Sequence, residues 1–228
     1  MKEKMVEMFK LQERLNDNTN GFGWRDGATK QGKIINWKRC IVMESAELID
    51  SFSWKHWKDI DSGIDLENIK IEMVDIWHFV MSYLLRFQSS EDAAKFSVLA
   101  MKNSSIKLPK EWSKRENSRI DEILKPFEEL MALALIKRDD KEYQKELVGQ
   151  FWECVDVARM SFDDVYRLYI GKNALNQFRQ QHGYKEGNYK KLWNEKEDNV
   201  IMQEILNSDI DISYEKLLDR LESIYATL

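Results

Sequence analysis

The sequence predicts an all-α protein, a helical bundle formed as a single domain over residues 1–228, although two tightly associated lobes would also suit its length. The chain contains only nine glycines and two prolines, so residues that interrupt helices are scarce. Apolar residues recur with the 3.6-residue period of a helix, whereas the apolar and polar alternation of half-buried strands is absent. A hydrophobic content of 43% is enough for a substantial core.

Capping residues and breaks in the apolar pattern set the ends of the predicted helices. The first helix ends at the polar run 16–20, and Pro109 follows the end of the fourth. Pro126 is expected either to kink a later helix or to divide it into two. Ser161 and Asp164 have the spacing of a capping box that opens another helix. The predicted helices span residues 3–17, 34–57, 66–87, 91–103, 117–138, 139–160, 162–181, 198–206 and 214–226.

Two acidic pairs distinguish the second and third predicted helices. Glu44 and Glu47 form the first pair, and Glu72 and Asp75 form the second, each within an apolar stretch. Residues three positions apart in an α-helix point to the same side, so each pair presents its carboxylates from one face. The short polar link at about 59–65 makes the two helices antiparallel neighbours. The bundle is therefore expected to be built around this pair of helices, with the four carboxylates facing one cleft.

Carboxylates gathered among apolar residues destabilise a fold unless cations neutralise them. A single acidic pair is common on solvated helix faces, but two pairs amid apolar residues in consecutive helices arise less often by chance. Oxygen ligands without cysteine or paired histidine select Mg²⁺ or Mn²⁺, and Mg²⁺ usually binds together with substrate phosphates. The sequence therefore predicts a metal site suited to hydrolysis of a phosphoanhydride, with one carboxylate free to orient the attacking water.

Charge and composition narrow the remaining classes of function. The formal net charge of −5 argues against general affinity for nucleic acid or anionic membranes, although a local basic site for phosphates remains open. The sequence has neither a run of about 18 apolar residues nor the apolar core of a signal peptide, so a cytoplasmic protein without a membrane partner is expected. Cys40 and Cys154 lack zinc spacing and are expected to be buried free thiols.

A row of polar side chains on the predicted helix 162–181 is suited to a nucleotide. Lys172, Asn176 and Arg179 follow an i, i+4, i+7 spacing, which places a cation, an amide and a second cation on one face. Tyr184 and the pair 190–191 in the following loop extend this row, although such a lysine pair is equally suited to a solvated surface.

The spacing of the acidic tetrad resembles the signature of the all-α nucleoside triphosphate pyrophosphohydrolases. That group includes MazG-type enzymes, dCTP pyrophosphatases and dimeric dUTPases, and the chain looks most like a dimeric dUTPase. The segments that carry this resemblance are 11–17 (LQERLND), 44–58, 72–79 (EMVDIWHF), 169–180 (YIGKNALNQFRQ) and 183–189 (GYKEGNY). The middle segment, about 88–160, and the C-terminal helices have no diagnostic motif.

The resemblance implies a role for individual residues. It makes Glu44, Glu47, Glu72 and Asp75 ligands of two or more Mg²⁺ ions, with Mn²⁺ as the alternative metal, and lets Glu44 or Glu47 also orient the attacking water. The residues that it assigns to substrate are Gln12, Asn16 and Asn176 for uracil and deoxyribose, Trp54 and Trp57 for the nucleoside pocket, and Lys172, Arg179, Tyr184 and Lys191 for the phosphates. His78, three residues after Asp75, is expected to be a core histidine rather than a partner of a metal-binding carboxylate.

The same resemblance implies hydrolysis of dUTP to dUMP and pyrophosphate, acceptance of dUDP, and a homodimer. Two alternatives remain open at this point. A relaxed dCTP/dUTP or general dNTP pyrophosphatase is the first, because cytosine and uracil differ at one donor and acceptor edge that a reoriented buried amide could accommodate. A regulatory binding module, whose partner protein reads the state of the nucleotide site, is the second.

Overall fold

A computed structural model of the chain describes residues 1–57, 63–111, 113, 116 and 118–228. Within these residues the regular secondary structure is almost entirely helical, as predicted, with only two short strands. The helices are α1 (Lys2–Asn20), α2 (Trp37–Asp50), α3 (Leu66–Leu85), α4 (Ser90–Ala100), α5 (Ile120–Leu135), α6 (Lys141–Val157), α7 (Phe162–Gln181), α8 (Asp198–Ser208) and α9 (Tyr214–Tyr225). A 3-10 helix spans Phe22–Asp26, and β1 (Leu192–Trp193) pairs with β2 (Lys196–Glu197) in an antiparallel ribbon.

Helices α2 and α3 pack against each other as an antiparallel pair. At one end, Asn68 Nδ2 near the start of α3 donates a 2.8 Å hydrogen bond to Ser51 Oγ, just after α2. At the other end, Lys38 Nζ near the start of α2 lies 5.3 Å from the ring centre of Tyr83, near the end of α3. The predicted antiparallel arrangement is therefore confirmed. Three predicted features lie wholly or partly outside the described residues. They are most of the link at 59–65, residue 58 of the motif 44–58, and the helix start at 117.

Helix α2 is shorter at both ends than the predicted span 34–57. It begins at Trp37 because the Asn36 side chain caps it by accepting from the backbone N–H of Arg39 at 3.0 Å, whereas residue 34 forms an isolated β-bridge with residue 28. It ends at Asp50. There the hydrogen-bond spacing shortens from four residues to three, and the Phe52 N–H donates to the Ile49 carbonyl. Apolar and aromatic residues continue past this point in a non-helical segment, which explains why periodicity overestimated the helix.

Two signals on the later helices had different outcomes. Ser161 and Asp164 form the predicted capping box, and α7 has the predicted bounds. Of the two outcomes expected at Pro126, a kink or a division of the helix, the division does not occur, because α5 continues through this residue. Pro126 has no backbone N–H, so the carbonyl of Glu122 loses its helical hydrogen bond. Glu122 is exposed, and water can hydrogen-bond to this carbonyl instead. The Pro126 carbonyl in turn accepts from Gln150 Nε2 at 3.0 Å.

Helix α3 runs through the centre of the core. It contacts α1, α2, α4, α6 and α7. Its Trp77 is fully buried and stacks on Phe151 of α6 with ring centres 4.7 Å apart, while Phe9 of α1 meets the same indole edge-on at 5.8 Å. Glu72 and Asp75 therefore project from a helix that is held by five others. No helix in the part of the chain that the structure describes is long and apolar enough to cross a membrane.

A close contact between α7 and α8 depends on Gly171. A Cβ atom added there would lie 2.6 Å from both Leu206 Cδ1 and Met202 Sδ, so only glycine lets α8 approach this closely. Gly171 directly precedes Lys172 of the predicted basic row. The contact therefore brings the first turn of α8 beside that row.

Both cysteines are free thiols. Cys154 is buried as predicted, whereas Cys40 is only half-buried, which corrects the expectation for that residue. Burial raises the pKa of both thiols, and both are therefore protonated at neutral pH.

Candidate active site

Three carboxylates from α2 and α3 converge at the middle of the helix pair. Ligand oxygens of Glu44, Glu72 and Asp75 all lie within 4.8 Å of one another. The i, i+3 spacing places the acids of each helix on one side, which on both helices faces the same cleft. Glu44 and Asp75 are partly buried there, and Glu72 is buried. Glu47 lies on the exposed edge of α2 and lines the same cleft, outside the group of three. We call Glu44, Glu47, Glu72 and Asp75 the acidic cluster.

Burial and the neighbouring negative charges shift two of these carboxyl groups toward the protonated form. Burial, followed by the charges of Asp75, Glu72 and Glu47, raises the pKa of Glu44 to about 8. Burial and the charge of Asp75 raise the pKa of Glu72 to about 7, against the opposing effect of the Lys172 ammonium. At neutral pH the cluster therefore holds protons that a cation could replace.

The acidic cluster lines an open cleft of about 850 Å³. Of the described residues that line it, the acidic ones are Glu44, Glu47, Asp50, Glu72, Asp75 and Glu197, and the basic ones are Lys172, Arg179 and Lys191. Six acidic groups against three basic ones give the lining an excess of negative charge. A polyanionic ligand would be repelled by such a lining unless further cations entered with it.

The predicted basic row lies across the cleft from α2. Lys172 Nζ contacts Asp75 Oδ2 at 2.8 Å, and Arg179 Nη1 donates to Asn176 Oδ1 at 3.3 Å. Lys172 and Arg179 line the cleft together with Tyr184 and Lys191, whereas Asn176 is not among the described lining residues. The face predicted from the i, i+4, i+7 spacing is thus formed, and its two cations reach the same cleft as the acids.

The two predicted tryptophans lie at one side of this cleft, on the segment that follows α2. Trp54 lines the cleft, and its ring packs edge-on against Trp57 with centres 5.6 Å apart. Trp57 is not among the described lining residues, and 62% of its surface is exposed. Of the two indoles, only that of Trp54 is among the described residues that border the cleft, and Trp57 packs against it.

Gln12 and Asn16 of α1 lie behind the cleft rather than in its lining. Both are buried, and both donate 3.0 Å hydrogen bonds to Ser82 Oγ of α3. Gln12 Oε1 also accepts from Tyr169 OH of α7 at 3.1 Å. These residues form a polar layer that joins α1, α3 and α7. Gln12 and Asn16 are therefore not among the described residues that line the cleft with the acidic cluster.

His78 belongs to this buried layer. It lies one turn after Asp75, and its Nδ1 is 2.6 Å from Gln12 Oε1. Burial lowers the pKa of His78 to about 4, so the ring is neutral and Nδ1 donates to the amide oxygen. The predicted core position is confirmed. Its Nε2 is buried and has no hydrogen-bond partner among the described residues.

Comparison with known proteins decides the family. A family model described as dUTPase matches residues 4–184. The chain belongs to the dUTPase family. The match and the helical fold together make it a dUTPase of the all-α type, and the family indicates dUTP diphosphatase activity. The matched segment contains the acidic cluster, Lys172 and Arg179, and it ends at Tyr184. No curated protein matches the chain.

Three residues beyond the part that matches the dUTPase family were missed by sequence reasoning, namely Glu197, which lines the cleft, Asp198 and Asn199. Asn199 lines the cleft, and its Oδ1 accepts from Lys172 Nζ at 2.9 Å and from Arg179 Nη2 at 3.3 Å. Asp198 is fully buried and binds the Arg179 guanidinium. The available signal was their position at the start of a predicted helix directly after a lysine-rich loop. Periodicity alone does not reveal which helix they face.

Proposed function

We propose that this member of the dUTPase family is a Mg²⁺-dependent pyrophosphatase that converts dUTP to dUMP and pyrophosphate and also accepts dUDP. The observation that carries the proposal is the convergence of Glu44, Glu72 and Asp75, whose ligand oxygens lie within 4.8 Å of one another in a cleft that also contains lysine and arginine. This combination is suited to a polyphosphate bound together with divalent cations.

The residues of the acidic cluster fit a hard divalent metal. All four offer carboxylate oxygens, the donor type that Mg²⁺ and Mn²⁺ prefer. The raised pKa values of Glu44 and Glu72 indicate a site that is short of positive charge. We assign the four carboxylates as ligands of two or more Mg²⁺ ions, with Mn²⁺ as a substitute. Bound Mg²⁺ supplies neutralisation of phosphate charge and lowers the pKa of a coordinated water.

Glu47 is the carboxylate best suited to orient the attacking water. It borders the cleft but lies outside the group of three oxygens within 4.8 Å. A carboxylate that is not fully committed to the metal can accept a proton from water as general base. Glu44, its neighbour on the same face of α2, is the alternative. The change in kcat on replacing each residue distinguishes them.

The basic side of the cleft is assigned to the phosphates. Lys172, Arg179, Tyr184 and Lys191 all line the cleft opposite α2, and charged N–H donors form short, strong bonds to phosphate oxygens. Arg179 is held within a hydrogen-bond network, so it can meet a phosphate without first losing much side-chain freedom. The leaving pyrophosphate is the group that these cations would stabilise.

Direct contact with the nucleoside is assigned to Trp54, Trp57 and Asn176, and Gln12 and Asn16, which lie behind the cleft, are assigned to the polar layer that supports this pocket. Trp54 borders the cleft and offers an aromatic face for a base. The Asn176 amide carries both a donor and an acceptor, the combination that the pairing edge of uracil requires. Asn176 is bonded to Arg179, which would couple recognition of the sugar to the phosphate side.

We further propose that the protein is a homodimer. Ile34, Leu135 and Ile136 are 84%, 68% and 40% exposed, and all three border one surface cavity of about 530 Å³ near the α2–α5 contact. Apolar side chains exposed together mark interaction surfaces. Sedimentation velocity should give a dimer that Leu135→Lys converts to monomer, whereas a monomeric wild type would contradict the proposal.

A substrate panel tests the proposed reaction. We expect pyrophosphate release from dUTP to exceed that from dCTP, dTTP, dATP and dGTP, to require Mg²⁺ and to stop with EDTA, while dUDP yields dUMP and phosphate. Glu47→Gln should lower kcat by about 10²–10⁴ if Glu47 is the base. Glu67→Gln, an exposed acid of α3 paired with Lys70, is the matched control. Equal turnover of all substrates, or full activity of Glu47→Gln and Glu44→Gln, would overturn the proposal.

A further inference from the structure

We propose that Asp198, the first residue of α8, is a positioning residue that holds the Arg179 guanidinium in the orientation needed to bind a substrate phosphate. The inference rests on the proposed function in one respect, namely that Arg179 contacts phosphate. It concerns a residue that lies beyond the segment 4–184 matched by the family model.

The contact between Asp198 and Arg179 is a buried, bidentate ion pair. Arg179 Nε donates to Asp198 Oδ2 at 2.8 Å, and Nη2 donates to Oδ1 at 2.7 Å. This parallel geometry fixes the plane of a guanidinium as well as its position. Tyr189 OH donates to the same Oδ2 at 2.7 Å, so the carboxylate is itself held in place. Arg179 therefore has one well-defined orientation in the structure.

The burial of Asp198 separates its role from that of Arg179. Asp198 is 0% exposed and is not among the described residues that line the cleft, whereas Arg179 lines it. Asp198 occupies the Nε and Nη2 edge of the guanidinium and leaves the Nη1 edge on the other side, where Asn176 Oδ1 lies 3.3 Å away. A carboxylate placed in this way acts on a ligand only through the arginine.

The docking of α8 makes this arrangement possible. Gly171 admits Leu206 and Met202 of α8 against α7, which places the first turn of α8 next to both cations of the basic row. Asn199, the residue after Asp198, accepts from Lys172 at 2.9 Å. One helix terminus thus orients Lys172 and Arg179 together. Holding both cations before the ligand arrives lowers the entropy cost of binding it.

A double-mutant cycle tests the proposal. The variants are Asp198→Asn, Arg179→Met and their combination, and the readouts are KM and kcat for dUTP and the Kd of Mg²⁺-pyrophosphate by calorimetry. We expect Asp198→Asn and Arg179→Met each to raise KM and the pyrophosphate Kd at least about tenfold. The double variant should be no worse than Arg179→Met, because Asp198 acts through that side chain.

Two further variants separate positioning from stability. Asp156→Asn removes a half-buried carboxylate that pairs with Lys107, and neither residue is among the described ones that line the cleft, so KM should be unchanged. Asp198→Glu keeps the charge but lengthens the side chain by one methylene. It should preserve the melting temperature better than Asp198→Asn and still raise the pyrophosphate Kd, because the guanidinium is displaced rather than left without a partner.

Three results would overturn the inference. An unchanged pyrophosphate Kd in Asp198→Asn would show that Arg179 needs no such support, and additive losses in the double variant would show that Asp198 acts by another route. An unchanged Kd in Arg179→Met would remove the premise that Arg179 binds phosphate. Failure of the proposed reaction can be told apart from failure of this inference. The first would appear as wild-type turnover of dUTP that is independent of Mg²⁺. The second is judged from the pyrophosphate Kd values of the double-mutant cycle, which can be measured in either case.

Discussion

Lys172 Nζ lies 2.8 Å from Asp75 Oδ2, so a lysine assigned to substrate phosphate pairs with a carboxylate assigned to metal. The two side chains are 4% and 18% exposed, and the interaction is therefore shielded from water. Lys172 also opposes the rise in the pKa of Glu72. The lysine acts as an internal cation for the acidic cluster, and this relationship leads to the first prediction.

Removing the Lys172 charge should destabilise the metal-free protein. Lys172→Met keeps most of the side-chain volume but leaves Asp75 without its ion-pair partner, and breaking a buried pair in this way costs about 3–5 kcal/mol. Urea unfolding in EDTA measures the loss, and saturating Mg²⁺ should restore part of it. Lys70→Met, which removes an exposed partner of Glu67 on the same helix as Asp75, should cost less than about 1 kcal/mol. Equal stability of the two variants would contradict the internal-cation role.

Glu44→Gln should make the metal-free protein more stable while impairing catalysis. The pKa of Glu44 is raised to about 8 because its charged form is disfavoured by burial and by the neighbouring carboxylates. A neutral amide of the same shape avoids that penalty. We expect a higher melting temperature than wild type in EDTA at pH 9, together with a large loss of dUTP hydrolysis. A lower melting temperature, with Glu67→Gln unchanged as control, would contradict the assigned repulsion.

The stability of the metal-free protein should fall as the pH rises from about 6 to about 9. Glu44 and Glu72 have folded-state pKa values of about 8 and about 7, above their ordinary value of 4.5. Their contribution to stability is therefore fully present below the ordinary pKa and is lost as the pH rises through the folded-state values. Melting curves in EDTA check this slope, which Glu44→Gln/Glu72→Gln should flatten.

Metal binding should show the opposite trend across the same pH range. Because a cation replaces protons on Glu44 and Glu72, the increase in melting temperature caused by Mg²⁺ should be larger at pH 8.5 than at pH 6. A constant increase at both pH values would indicate that Mg²⁺ binds without displacing these protons.

Gly171→Ala should weaken the docking of α8 and with it the binding of pyrophosphate. The new Cβ would lie 2.6 Å from buried Leu206 and Met202, and overpacking of this kind costs about 1–3 kcal/mol. Gly23→Ala is the control, because the nearest atom to its new Cβ, the Ala28 carbonyl oxygen, lies 3.9 Å away at an ordinary van der Waals distance. Urea unfolding and calorimetry should show losses in the first variant that exceed those in the second. Equal effects would mean that α8 can shift without disturbing the cleft.

The elements that the sequence predicted well are those with local signals. Helix α7 has its predicted bounds because Ser161 and Asp164 open it with a capping box, and the acidic cluster follows from an i, i+3 spacing. The predicted end of α2, at residue 57, was wrong, because aromatic residues continue the apolar pattern after Asp50 into a non-helical segment.

The part of the site that escaped prediction depends on tertiary packing. Arg179 and Asp198 are 19 residues apart and lie on different helices, so no helical spacing rule relates them. Their contact exists because Gly171 lets α8 lie close to α7. The burial of Gln12 behind the cleft likewise depends on how α1 packs against α3, which a one-dimensional pattern does not specify.

The most direct test of the account is the rate at which the wild type and Glu72→Gln release pyrophosphate from dUTP in saturating Mg²⁺. The acidic cluster is proposed to hold the metal on which hydrolysis depends, so the variant should lose at least about 10³-fold in kcat/KM while remaining folded in EDTA. Activity of Glu72→Gln within about threefold of wild type, a difference of less than 1 kcal/mol in transition-state stabilisation, would contradict the account.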